Sequence, residues 1–212
     1  MLISDIMTER VITLPSSTTV DDAIRILRAV HFRRFPVVDD GKLVGIVSGY
    51  RLERASIVGS APHLWQVAHT MARSPVRDIM VKEVVTISPE ATVEQGVTLA
   101  QKHRVGSLLV VEEDKLVGIV TTNDFFYKVV NQILGIGETG VRIIVREAGD
   151  AKSAEKILSC INKLGLELKI IWTLPSFQSS GNDIIVQLDT EDSSGVIQEL
   201  TALGYDAGLR LR

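Results

Sequence analysis

Displaced by 73 residues, the chain matches itself without a gap. Asp5-Ile6-Met7 returns as Asp78-Ile79-Met80, Val37-Val38 as Val110-Val111, and the six residues Lys42 to Val47 as Lys115 to Val120. From Asp5 to Leu52, 15 of 48 positions are identical and most of the others are conservative. Chance does not hold one register for so long, so the chain carries an internal duplication. Two copies of a small unit normally mean that neither buries its apolar face alone.

Each copy predicts the same order of elements. Val11 to Leu14 reads as a strand that meets a turn at Pro15. Thr19 and Asp22 have the spacing of a capping box, with Asp in place of Glu or Gln, and Thr92 with Gln95 fits the box fully. A helix follows, with Val20, Ala23, Ile24 and Leu27 on one face. Phe35 to Val38 and Leu43 to Val47 read as strands joined at Asp39-Asp40-Gly41, and a second helix closes the unit.

The second copy ends at a corner that carries chemistry. Leu116 to Val120 is a buried-strand run, Phe125 to Leu134 has helical periodicity, and Thr121, Asn123 and Asp124 stand between them. A hydroxyl and a carboxylate three residues apart suit a ribose, because the carboxylate accepts from sugar hydroxyls and the helix N-terminus faces phosphate. The same residues equally suit a plain helix cap.

The Asp-Ile-Met lead-in, the strand Pro36-Val37-Val38-Asp39 and the Gly-apolar-apolar-Thr-x-x-Asp ending together resemble the CBS domain, and the tandem resembles a CBS pair over residues 1–134. The resemblance implies a pseudo-twofold pair whose cleft binds an adenosine-containing ligand. Of these AMP, ADP or ATP is expected here, as a regulatory ligand and not a catalytic cofactor. It implies a ribose position at Asp124 and Thr121 and a phosphate position at Arg33 and Arg34, just before the Pro-Val-Val-Asp strand of the opposite copy. Guanidinium groups suit that role because they stay charged and bind phosphate in bidentate fashion. By strand alternation only one of the two adjacent arginines should point into the cleft. Val11, Thr13 and Phe32 are the adenine-slot candidates implied by the family, with backbone groups reading the base; ordinary core packing is the competing reading for the apolar side chains.

The copies differ in ways that bear on stoichiometry. Arg51 stands where the first copy would carry the ribose carboxylate, and it cannot accept a hydrogen bond. One nucleotide per pair is therefore expected. Arg51 is read as facing solvent, with a phosphate contact as the alternative. Arg25, Arg28, His31, Arg33 and Arg34 crowd the first copy, whereas Gly106 and Ser107 replace the last two in the second. His103 and Arg104 are weaker phosphate candidates.

The remaining residues set the organisation. Residues 1–58 form the first copy, 59–74 a connecting segment, 75–134 the second copy, 135–140 a Gly-rich linker and 141–212 a tail. The connecting segment reads as a short amphipathic stretch packing Leu64, Trp65 and Ala68, and His63 and His69 lack the spacing of a helical metal pair. The tail predicts β(141–145), α(153–164), β(166–174), β(184–188), α(196–203) and β(205–211), the βαββαβ order of a ferredoxin-like split βαβ, so the whole is α/β (α+β). In length and position it resembles an ACT domain, and a CBS pair with such a tail resembles the acetoin-utilization protein AcuB family. ACT domains bind amino acids at an Asp-x-x-Gly turn, but here Gly149 and Lys152 occupy those two positions. Amino-acid sensing through the tail, or a dimerisation scaffold without ligand, are the alternative functions.

No metal cluster, nucleophile-base pair or phosphate-loop motif points to an enzyme. The net charge of −3 argues against nucleic acid as the partner, and no apolar run reaches bilayer length. The single Cys160 forms no intrachain disulfide and falls on an apolar helix face with Ile157, Ile161 and Leu164. A cytoplasmic homodimer acting on an unknown regulated protein, with no metal and no membrane, is the expectation.

Overall fold

The computed structural model describes residues 1–30, 32–57, 73–176 and 178–211. The stretch around Leu64, Trp65 and Ala68, with His63 and His69, lies outside the described residues, as does His31. The chain divides into two compact units, Met1–Lys128 and Val129–Arg212.

In the first unit, α1 (Ile3–Ile6) precedes α2 (Val20–Ala29), β1 (Arg34–Asp39), β2 (Lys42–Ser48) and α3 (Gly49–Ile57). The second copy has a single 3₁₀ turn at Val76–Asp78, then β3 (Thr86–Ile87), α4 (Val93–His103), β4 (Ser107–Glu112), β5 (Lys115–Thr121) and α5 (Thr122–Asp124). A π-helical turn, Phe125–Val130, follows. The hairpins β1–β2 and β4–β5 are antiparallel with the same register, and each carries a bulge after its first valine, at Val37/Val38 and Val110/Val111. Both turn residues of each hairpin have positive φ, Asp40-Gly41 in one and Glu113-Asp114 in the other, as the twist of a two-residue hairpin demands.

The helix caps follow the sequence. Thr92 and Gln95 close a full capping box, with the Thr92 N–H donating to Gln95 Oε1 at 2.9 Å and the Gln95 N–H to Thr92 Oγ1 at 3.2 Å. In the first copy Asp22 takes the Thr19 hydroxyl instead, at 2.7 Å, and the box is half made. The expected strand Val11 to Leu14 shrinks to one bridge, Leu14 to Val37. Pro15 follows at once and has no N–H to extend the ladder. In the second copy the proline comes one residue later, at 89, and β3 gains a second paired residue.

What joins the two copies is an exchange of lead-ins. Residues 1–8 pack on the second copy: Ile3 N–H donates to Ala91 O at 2.8 Å, Thr8 N–H to Ile119 O at 2.9 Å, and Ile3 and Ile6 are fully buried. Residues 74–81 pack on the first copy: Val20 N–H donates to Ser74 O at 3.0 Å, Val81 N–H to Ile46 O at 2.8 Å, and Val76 joins the first-copy core of Leu14, Phe35, Val37, Val47 and Leu52. Each copy thus completes its core with the other's segment.

The second unit contains α6 (Asn131–Leu134), β6 (Val141–Val145), α7 (Ala151–Lys163), β7 (Leu168–Pro175), β8 (Asn182–Leu188), α8 (Ser194–Ala202) and β9 (Ala207–Leu209). Its sheet order is β7-β8-β6-β9, antiparallel throughout, so the first and third strands of this unit lie at the centre. This is the split βαβ arrangement expected from the sequence. Ile143, Val145, Ile157, Ile161, Ile184, Val186 and Leu200 form its core. Cys160 is buried among them, and burial, with Glu199 nearby, pushes its thiol up. Leu164, expected on that same face, is exposed and sits at the helix C-cap.

Asp150 caps α7, accepting from the Lys152 and Ser153 N–H groups at 3.0 Å and from the Ser153 hydroxyl. The Ser153 bonds, hydroxyl first, hold its carboxyl below the usual carboxylate range. A lowered folded-state value means stability that is present above the unfolded value, about pH 4, and is lost as pH falls through the folded value. The unfolding midpoint of Asp150→Ala should lie below that of the native chain at pH 7, and the difference should close as pH approaches 2 in a thermal melt series. A pH-independent difference would mean that the charge contributes nothing.

Candidate functional site

β5 ends at Thr121, and the chain turns directly into α5. The turn is a capping box: Asp124 Oδ2 accepts from the Thr121 N–H at 2.8 Å and from the Thr121 hydroxyl at 2.7 Å. Its other oxygen, Oδ1, lies 3.0 Å from Lys128 Nζ, and Lys128 also donates to the Ile6 carbonyl. The Asp124 side chain is 13% exposed, so its free lone pairs open on a confined space. Lys128 escaped the sequence reading, although its position four residues beyond Asp124 is the ordinary spacing of a helical ion pair.

That space is a cavity of about 370 Å³ lined by Thr121, Thr122, Asn123 and Asp124 of the second copy and by Phe32, Arg33 and Arg34 of the first. Thr8 and Ile119, the pair that bridges the lead-in to β5, complete it. Both arginines line the cavity, against the expectation that alternation would admit one. Arg33 precedes β1 and is held by its carbonyl, which accepts from the Gly49 N–H at 2.8 Å, so strand alternation does not govern it.

Arg34 is half-buried, and burial pulls its guanidinium below its ordinary value. Its room comes from Gly106: a Cβ there would stand 2.5 Å from Arg34 Nη2. The second copy's glycine, at the position of the first copy's Arg33, is thus the space that the first copy's Arg34 fills. Of the three adenine-slot candidates Phe32 lines this cavity, and Val11 and Thr13 are not among its lining residues. Their segment makes a single bridge, at Leu14, and the lead-in residue Thr8 lines the cavity. His103 and Arg104 line neither this cavity nor its counterpart.

The duplication generates that counterpart. A second cavity, of about 210 Å³, is lined by Ile46, Ser48, Arg51 and Val81, the 73-residue equivalents of Ile119, Thr121, Asp124 and Thr8. Arg34 lines this one too. Arg51 is exposed, as expected, and it also donates through Nη1 to the Ile79 carbonyl at 3.1 Å. The carboxylate on this lining, Glu83, comes from the lead-in side and not from the strand-to-helix corner. Among the described residues no cluster of His, Cys, Asp and Glu is arranged to hold a metal ion, and no helix is long and apolar enough to cross a membrane.

Two copies that exchange lead-ins around paired clefts define a tandem two-copy module, and comparison with known proteins agrees. The CBS domain family profile matches residues 3–57 and 76–131, and the chain belongs to that family. It is similar to an inosine-5'-monophosphate dehydrogenase of Korarchaeum cryptofilum, with 31% identity over 122 residues, 56% of this chain but 22% of that protein. The chain therefore spans less than half the length of the first curated relatives it matches. Among solved structures it resembles a protein assigned to acetoin utilization (AcuB) from Vibrio cholerae, at 32% identity and TM-score 0.52, covering 62% of this chain and 92% of that one. It also resembles CBSX2 solved in complex with AMP, at 27% identity and TM-score 0.51, covering 61% of this chain and 96% of that one.

Proposed function

We propose that the chain is a cytoplasmic ligand-sensing regulatory protein whose CBS pair binds one adenine nucleotide, of the AMP, ADP or ATP type, in the cavity between Asp124 and Arg33–Arg34. The observation that carries this reading is the meeting of opposite chemistries from opposite copies. Asp124 and Thr121, whose carboxylate and hydroxyl suit ribose, line one side, and Arg33 and Arg34, whose side chains suit phosphate, line the other. Phe32 offers the cavity an exposed aromatic face for the base. The likeness to a CBS pair solved with AMP supports the ligand class. Arg51 in the counterpart cavity supports a single ribose position.

A ligand held by both copies favours whichever arrangement of the pair lets the two walls reach it together. Binding then shifts that population and changes what a partner protein meets. The tail's βαββαβ order and central first and third strands support reading it as an ACT-like domain that joins two chains into a homodimer or relays the signal. At its Asp-x-x-Gly equivalent, Gly149 packs so closely on Asn182 that a Cβ would clash. That favours an assembly role for the tail over amino-acid capture. The likeness to the Vibrio cholerae protein makes acetoin metabolism the first process in which to seek the regulated partner.

The test is a thermal-shift screen of the full chain with AMP, ADP, ATP, NAD and S-adenosylmethionine. A ligand at 100 times its Kd adds about 2.7 kcal/mol, which for a chain of this size raises the midpoint by about 5–10 °C. A rise with one adenine ligand supports the sensor. No rise with any of them leaves the duplication as a dimerisation scaffold.

A further inference from the structure

The nucleotide cavity shares a wall with a larger one. Phe32, Arg33 and Arg34 line both the 370 Å³ cavity of Asp124 and a cavity of about 580 Å³ beside α2 and α3. To the larger cavity α2 contributes Arg28, and α3 contributes Tyr50 and Glu53. Three arginines thus line this space against one glutamate. Among the described residues, Arg25 takes the ion pairs that α2 makes, with Asp21 and Asp22, and Arg28, Arg33 and Arg34 make none. Arg28 sits in the last turn of α2, where a cation complements the helix dipole. That accounts for Arg28 taken singly, but not for its convergence with two arginines that lie beyond the helix.

We infer that the site selects nucleoside di- or triphosphates over monophosphates, with Arg28 contacting the phosphoryl groups beyond the first; this rests on the nucleotide reading of the Asp124 cavity. A ribose on Asp124 places its first phosphate against Arg33 and Arg34. Because these two residues also wall the larger cavity, further phosphoryl groups pass along them toward Arg28 rather than into solvent. Each added phosphoryl group brings negative charge and acceptor oxygens to meet a guanidinium that is always protonated. Glu53, the acid on that lining, works against the same charge. AMP occupies only the smaller cavity and makes no use of Arg28.

The experiment is calorimetric titration of the full chain with AMP and with ATP, in EDTA, for the native protein, Arg28→Ala and Glu53→Gln. Arg28 is exposed, so its removal leaves the core untouched. The expected result is ATP binding about tenfold tighter than AMP, the worth of one charge-assisted contact. That ratio should fall toward one in Arg28→Ala and rise in Glu53→Gln. Equal affinities in the native chain, or a ratio that Arg28→Ala leaves in place, would overturn the inference while the nucleotide site stands. Failure of both nucleotides to bind would overturn the site itself, and the inference with it.

Discussion

Asp124→Ala and Asp124→Asn should each lower adenine-nucleotide affinity by about 10- to 150-fold, the loss of a hydrogen bond to a charged group worth about 1.5–3 kcal/mol. The two variants separate the roles of this carboxylate. Oδ2 is committed to the capping box, accepting from the Thr121 N–H and hydroxyl, while Oδ1 faces Lys128 and the cavity. Alanine removes both functions, and loss of the cap costs about 1 kcal/mol of stability. Asparagine keeps an acceptor for the Thr121 N–H and so keeps the helix start. It gives up the charge and half of the acceptor capacity. A folded Asp124→Asn chain that binds nucleotide poorly assigns the affinity to the carboxylate. Wild-type affinity in Asp124→Asn, measured by direct titration, would reduce Asp124 to a cap and move the ligand elsewhere.

The second large effect concerns stability. In Gly118→Ala the new Cβ would come 2.7 Å from Met7 Sδ and 3.2 Å from the Thr8 carbonyl oxygen. In Gly45→Ala it would come 2.6 Å from Met80 Sδ and 2.8 Å from the Val81 carbonyl oxygen. These are the same contact made twice, because Met7 and Gly118 are the 73-residue images of Met80 and Gly45. Overpacking of this kind costs about 1–3 kcal/mol, or about 2–12 °C in the unfolding midpoint. Gly45→Ala should cost more, since a backbone oxygen is nearer and a backbone yields less than a methionine. Met7→Ala frees the space beside residue 118. The double variant Met7→Ala/Gly118→Ala should therefore be less destabilised than the two single changes summed, by about 0.5–3 kcal/mol. Strict additivity would mean that the lead-in does not pack on the opposite copy.

Much of the fold is legible in the residues because it is built from short-range rules. The hairpins lie where an apolar run meets a two-residue turn, and helices start where Thr92 finds Gln95 and Thr19 finds Asp22, whereas the Asp150 cap starts the tail's first helix two residues before the Ser153 expected. The tail's elements follow from period and stop signals, and its strand order is the usual one for βαββαβ. The failures are instructive. Val11 to Leu14 has strand composition, but Pro15 withdraws the donor that would extend it. Alternation misjudged Arg33 because it lies one residue outside the strand.

The site divides along the same line. The 73-residue offset singled out Thr121 with Asp124, and Arg33 with Arg34, by showing where the two copies diverge. Nothing local to either segment says that they face one cavity, that Thr8 crosses over to join them, or that Gly106 is the space Arg34 fills. Backbone hydrogen bonds, caps and turns are settled within a few residues of chain, so they can be read from it directly. A cavity wall is settled by which distant segments exclude water together, and here that depended on two lead-ins, each burying its isoleucine or valine in the other copy's core.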